Sequence, residues 1–125
     1  MEPNLLENLV TTWVTHAKNS RASRTVPDET FWAWMALDRL CHEQPQDALE
    51  VILLILGAEQ SEPVFHSLAA GPMEDLLAHH GNVIIERVEA LARVDPRFRW
   101  LLGGVWQNKI ASKIWARVEP AANCQ

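Results

Sequence analysis

Ala48-Leu49-Glu50-Val51-Ile52-Leu53-Leu54-Ile55-Leu56 is the most apolar stretch of the chain, and its reading decides the fold. It falls well short of the about 20 apolar residues that a helix needs to cross a bilayer. A helix that is apolar almost all round belongs instead at the centre of a bundle, touched from several sides. Pro45 suits its first turn and Gly57 its C-terminal cap.

Neighbours for such a helix are present on both sides. Upstream, Leu5, Leu6, Leu9, Val10, Trp13 and Val14 recur at steps of three and four, predicting a helix over 4–18, and a polar loop follows to Pro27. Asp28 is then the N-cap of a second helix carrying Phe31, Trp34, Met35, Leu37, Leu40 and Cys41. That helix stops before Pro45, because a residue preceding proline is pushed out of the helical region.

Downstream, Glu62-Pro63 opens a short segment that stops at Gly71, and Pro72 opens another with Met73, Leu76 and Leu77 on one face, ending at Gly81. Val83, Ile84, Ile85, Val88, Leu91 and Ala92 make a further amphipathic helix, on which Glu89 and Arg93 are spaced to pair. Pro96 opens the next, with Phe98, Leu101, Leu102, Val105 and Trp106 at helical spacing. Gly103-Gly104 predicts a close helix approach or a break there, and a last helix covers 110–118.

No useful period-2 strand appears. The expected fold is therefore all-α, with about seven helices arranged as stacked antiparallel hairpins. Leu37, Leu40, Pro45 and Val51 are echoed 51 positions later by Val88, Leu91, Pro96 and Leu102. Two weak copies leave open both a short HEAT-like stack and an irregular bundle. At 125 residues and 48% apolar composition, one domain is expected. Within it, 1–28 form the N-terminal helix and polar loop, 29–118 the helical core and 119–125 a mobile tail.

The formal charge is −5 and unevenly placed: −1 over residues 1–40, −8 over 41–90 and +4 over 91–125. Packing of oppositely charged helices side by side explains this simply; a surface that steers a charged partner is the functional alternative. Lys109, Lys113 and Arg117, at i, i+4 and i+8 beside Trp106 and Trp115, would make a basic, aromatic strip for nucleic acid. The acidic chain and the lack of a recognised binding motif argue against that reading.

Chemistry is sparse. Asp75 and His79 share a helical face and are the pair to test for a metal, although a stable site needs at least a third ligand. His79 and His80 before Gly81 are as well explained as cations at a helix C-terminus. Glu74 and Asp75 are adjacent and point about 100° apart on a helix, so they fit dipole partners of a first turn better than an acid–base pair. Cys41 lies on an apolar face and reads as core. With no phosphate loop, GxSxG or HExxH pattern, no catalytic residue and no cofactor are assigned. Cys41 and Cys124 follow no disulfide or zinc spacing, and the N-terminus has no secretory leader pattern, so a cytoplasmic, non-membrane location is expected.

The strings Ala69-Ala70-Gly71-Pro72-Met73-Glu74-Asp75-Leu76-Leu77, His80-Gly81, Val88-Glu89-Ala90-Leu91-Ala92, Asp95-Pro96-Arg97-Phe98-Arg99 and Leu102-Gly103-Gly104-Val105-Trp106 resemble a small bacterial family, domain of unknown function 6869. The resemblance covers residues 30–118 and implies an all-α domain without an assigned activity. If the hairpins stack, Arg97 or Arg99 should pair with Glu74 or Asp75, as an internal strut or one half of a binding groove.

These readings converge on a cytosolic domain that binds another protein, as a regulatory or immunity-type partner. A small metal-dependent or acid–base hydrolase built on Asp75, His79 and Glu74 is the alternative, and nucleic-acid binding through the basic end the second. The six Trp sharpen the first reading. Trp13, Trp34 and Trp106 sit on apolar stripes and are expected in the core. Trp32, Trp100 and Trp115 lie off those stripes or near the end of the chain and are the candidate contact residues for a partner, and Trp32 and Trp115 also for a homodimer.

Overall fold

The computed structural model describes residues 3–22 and 28–123. Among them the chain contains no strand and is helical apart from short connections and a longer turn at 104–111: α1 (Pro3–Ala22), α2 (Asp28–Glu43), α3 (Pro45–Ala58), α4 (Glu62–Leu68), a π turn (Ala69–Met73), α5 (Glu74–Val94), α6 (Pro96–Gly103) and α7 (Ser112–Ala122). The all-α reading and the number of helices agree with the sequence.

Helix α3 is the centre. Ala48, Leu49, Val51, Ile52, Ile55 and Leu56 are buried over an arc of about 160° of its surface, while Leu54, on the far side, is 41% exposed, so the helix is not buried all round. It touches α1, α2, α5, α6 and the π turn. A stack of hairpins places contacts only between neighbouring units, whereas here α4 lies against α1, and α3 reaches α6. The packing is an irregular bundle. The echo at 51 residues survives locally: Pro45 and Pro96 each open a helix, where the missing N–H is not needed. Asp95 completes the second opening by accepting from the Arg97 and Phe98 backbone N–H groups.

Several boundaries differ from expectation, each for a physical reason. The anticipated stop at Gly71 and restart at Pro72 is instead a π turn, so α4 and α5 are joined by continuous helical chain. The wider i→i+5 turn accommodates a proline that would clash in an α-helix. The next break falls at His80, whose φ of −135° and ψ of 29° kink α5. Gly81 is not a left-handed cap, since no glycine among the described residues has positive φ. Its role is closeness: a Cβ there would lie 2.8 Å from Ile114 Cγ2 on α7. Gly104 works similarly, a Cβ meeting Phe65 Cζ at 2.9 Å just where α6 ends. Gly57 lies inside the last turn of α3 rather than capping it.

At the ends, α1 runs four residues beyond the expected Lys18, and Glu119–Ala122, expected in a mobile tail, form the last turn of α7. Of the anticipated loop and tail, residues 23–27 and 124–125 lie outside the described residues. Of the apolar residues of α2, Phe31 and Met35 are exposed, because Ala33, Leu37, Leu40 and Cys41 take the inner face. No helix among the described residues is long and apolar enough to cross a membrane.

Charge separation along the sequence is partly closed by packing. Arg117 on α7 makes two hydrogen bonds to Glu89 on α5, the Nε–Oε2 distance being 3.1 Å, and Arg87 on α5 reaches Glu50 on α3 at 3.2 Å. Glu89 thus pairs across helices with Arg117 and not with Arg93 along its own helix. Those hydrogen bonds hold the Glu89 carboxyl below the usual carboxylate range.

Candidate functional site

Two regions concentrate chemistry-bearing side chains. The first is the seam between the C-terminal end of α2 and the first turns of α5. The His80 kink turns its ring back across the seam, where Nε2 donates to the His42 carbonyl at 2.6 Å. His80 therefore does complement a helix C-terminus, but that of α2 and not its own. His42 donates from Nδ1 to the Asp38 carbonyl at 2.7 Å, and its ring lies 4.2 Å, centre to centre, from that of His79. Asp75 sits among these groups. Burial, and after it the Asp38 carboxylate, push its carboxyl above the usual range, against the pull of His42 and His79.

Behind the seam, Cys41 donates its S–H to the Pro72 carbonyl at 3.4 Å. Burial, reinforced by Asp75 and Asp38, pushes the thiol up to about 12. A thiol held protonated in this way is packing, not a nucleophile. Asp75 and His79 acquire no third ligand: among the described residues no group of three or more His, Cys, Asp or Glu side chains is placed to hold a metal ion.

The second region is a face built by α4, α6 and the segment after Gly104. Phe65 and Trp100 stack with centroids 3.8 Å apart and planes within 18°. His66 lies edge-on to Phe65 at 5.3 Å. Two adjoining hollows share His66 and Gly104. One, of about 630 Å³, is walled by Phe65, Trp100 and Arg99. The other, of about 470 Å³, lies between Trp34 and Trp106 over Ala70 and Gly71. Both are shallow hollows, wide open to solvent.

This face is tied firmly to the core. Trp34 stacks on the fully buried Trp13 at 5.6 Å and 8°, and His16 packs on Trp34 at 5.5 Å. Gly71 leaves just enough room for the Trp34 ring, an added Cβ falling 3.4 Å from Cη2. On the other side, Asn108 adopts a positive φ of 39°, a conformation asparagine tolerates, and its Nδ2 donates to Glu74 Oε1 at 2.8 Å. That bond fixes the turn following Trp106 to the start of α5.

The anticipated ion pairs between Arg97 or Arg99 and Glu74 or Asp75 do not form. Arg99 Nη1 donates to the Ala92 carbonyl at the end of α5, Glu74 accepts from Asn108, and Arg97 is exposed on α6. The basic strip is not one helical face either, since Lys109 lies in a turn before α7 and Arg117 is paired with Glu89. Of the three candidate tryptophans, Trp100 is on the aromatic face at 41% exposure, and Trp32 is 43% exposed on α2 beside Met35 and Arg39. Trp115 packs half-buried against the core.

The largest departure is Trp106, expected inside and 73% exposed. Its helical spacing from Leu102 lost its meaning once α6 ended at Gly103. The Gly103-Gly104 pair was the signal available in the sequence. Phe65 and His66 gave none, as their short helix could be oriented only by its packing.

Residues 20–125 match DUF6869, described as a family of unknown function. The chain belongs to the DUF6869 family. The DUF6869 match takes in α2 to α7, and with them both the seam and the aromatic face, and leaves most of α1 outside. No curated protein and no solved structure matches the chain.

Proposed function

We propose that this DUF6869 protein is a protein-interaction domain acting in the cytosol, and that the face formed by Phe65, Trp100, Trp34 and Trp106 is where its partner docks. One observation carries the reading: Trp106 is 73% exposed on a rigidly anchored aromatic surface with adjoining hollows. Exposed tryptophan is enriched at binding hot spots, where a large ring is desolvated at low entropic cost.

Support also comes from the seam. His42, His79 and His80 are engaged with each other or with backbone, and Cys41 is held protonated, so the most polar cluster serves to join helices. A cytosolic setting is supported by the absence of any pairing pattern between Cys41 and Cys124. Small size and net acidity are compatible with a regulatory or immunity-type role toward the partner.

The direct test compares affinity captures from native cytosol at low salt by the wild-type chain and by a Trp100→Ala/Trp106→Ala variant of unchanged helicity. The expected result is a stoichiometric partner held by the first and lost by the second. A wild-type capture with no stoichiometric partner, or one that both proteins retain equally, would sink the reading.

A further inference from the structure

We infer that the two hollows form one recognition groove for a peptide segment that carries large apolar side chains next to an acidic residue. The inference rests on the aromatic face being the docking surface and adds what the partner must present.

The argument begins with charge. The protein is acidic, with 16 Asp and Glu against 11 Lys and Arg. Yet no acidic residue among the described ones lines either hollow. The charged side chain at the groove is Arg99, with the titratable His66 between the two hollows. Glu62, one turn before Phe65 and His66, and Glu119, one turn before Ala122, are exposed but outside the lining, and two other nearby carboxylates are engaged. Asp95 caps α6 through its side chain, and Glu74 holds Asn108.

Arg99 is suited to reading a carboxylate. Its Nη1 donates to the Ala92 carbonyl, which fixes the plane of the guanidinium, and the group carries five N–H donors in all. An anchored guanidinium loses little freedom on forming a forked pair with a carboxylate. A basic segment would instead meet Arg99 with like charge. The apolar requirement follows from the other walls: indole and phenyl faces from Trp34, Trp106, Phe65 and Trp100, over a floor of Ala70, Gly71 and Gly104. Such surfaces are wetted in the free protein, and a large apolar side chain displaces that water.

A random peptide display library, selected on the whole protein, tests both levels. The expected enrichment is an acidic residue adjoining Trp, Phe or Leu. A synthetic peptide of that sequence should bind at least about tenfold more weakly to Trp106→Ala, and its charge-reversed counterpart at least about tenfold more weakly to the wild type. Arg99→Gln should erase the preference between the two peptides, and Arg99→Lys should keep part of it. Enrichment of Trp106-dependent peptides that are neutral or basic overturns the acidic partner and leaves the docking face standing. Selection that yields no Trp106-dependent peptide overturns the face itself. Trp106-dependent self-association in sedimentation overturns the peptide as occupant and puts a second copy in its place.

Discussion

The α2–α5 seam and the aromatic face are both crowded with rings, and they treat them oppositely. At the seam, His42 and His79 touch each other, and His80 is bonded to the end of α2, so the rings complete contacts within the chain. At the face, Phe65 and Trp100 stack and Trp34 is backed by Trp13, but Trp106 remains largely in water. Polar rings that satisfy backbone carbonyls make a joint. Apolar rings that are anchored on one side and wet on the other make a surface with free energy left to gain. The comparison implies that substitutions inward of the face and at the seam should act on stability, and substitutions at Trp106 on binding.

The strongest test lies behind the face. Trp13→Ala removes a fully buried ring and the support under Trp34, and should lower unfolding free energy by about 3–5 kcal/mol in a denaturant titration. A much smaller loss would mean that the face is not anchored as described. Next is the contact between α5 and α7, below the seam: Gly81→Ala forces a Cβ against Ile114 and should cost about 1–3 kcal/mol. Combined with Ile114→Ala, the loss should be less than the sum of the single losses; full additivity would deny the contact.

At the seam itself, His80→Ala leaves the His42 carbonyl without its donor and should cost about 1 kcal/mol. Hydrogen exchange should report the change at the end of α2. Asp75→Asn works in the opposite direction. The folded chain holds the Asp75 proton more tightly than the unfolded chain does, so stability is fullest below the ordinary Asp range. It is lost as pH rises through the raised folded value. Removing the charge should stabilise by about 0.5 kcal/mol at neutral pH, after allowance for solvent screening, and by nothing in acid. A destabilised Asn variant at neutral pH would show that the pull of His42 and His79 dominates.

The smallest stability effect belongs to Trp106→Ala, less than about 0.5 kcal/mol, because so little of the ring is buried. A loss above about 1 kcal/mol would erase the contrast between the two regions, making Trp106 a structural residue like the others.

What could be read in the sequence was whatever depends on neighbours along the chain. The central position of α3 followed from apolar residues on all its sides, and Pro45 and Pro96 marked helix openings. Asp95 declared its cap by standing just before Pro96. What could not be read depends on which element arrives from elsewhere. Gly81 looked like a stop, and only the approach of Ile114 shows why its size matters. Arg99 had several acids within plausible reach and took a backbone carbonyl instead. Of the site, Trp100 was identified from its place off the apolar stripes, Trp106 was misplaced by extending a helix past two glycines, and the Phe65–His66 edge required the fold.

The π turn at Ala69–Met73 sets the phase of everything before it. In an uninterrupted α-helix, Leu68 and Leu76 would point about 80° apart; with one residue absorbed by the wider turn they come within about 20° of each other. Both are buried. Were the same residues wound as uninterrupted α-helix, Phe65 and His66 would rotate by about 100° about the helix axis, away from Trp100 although no residue of either hollow had been replaced. Deleting one residue from the turn would instead restore a regular helix and keep their direction. The direction in which the aromatic face looks is therefore encoded by how the backbone winds at one turn, independently of the side chains that compose the face.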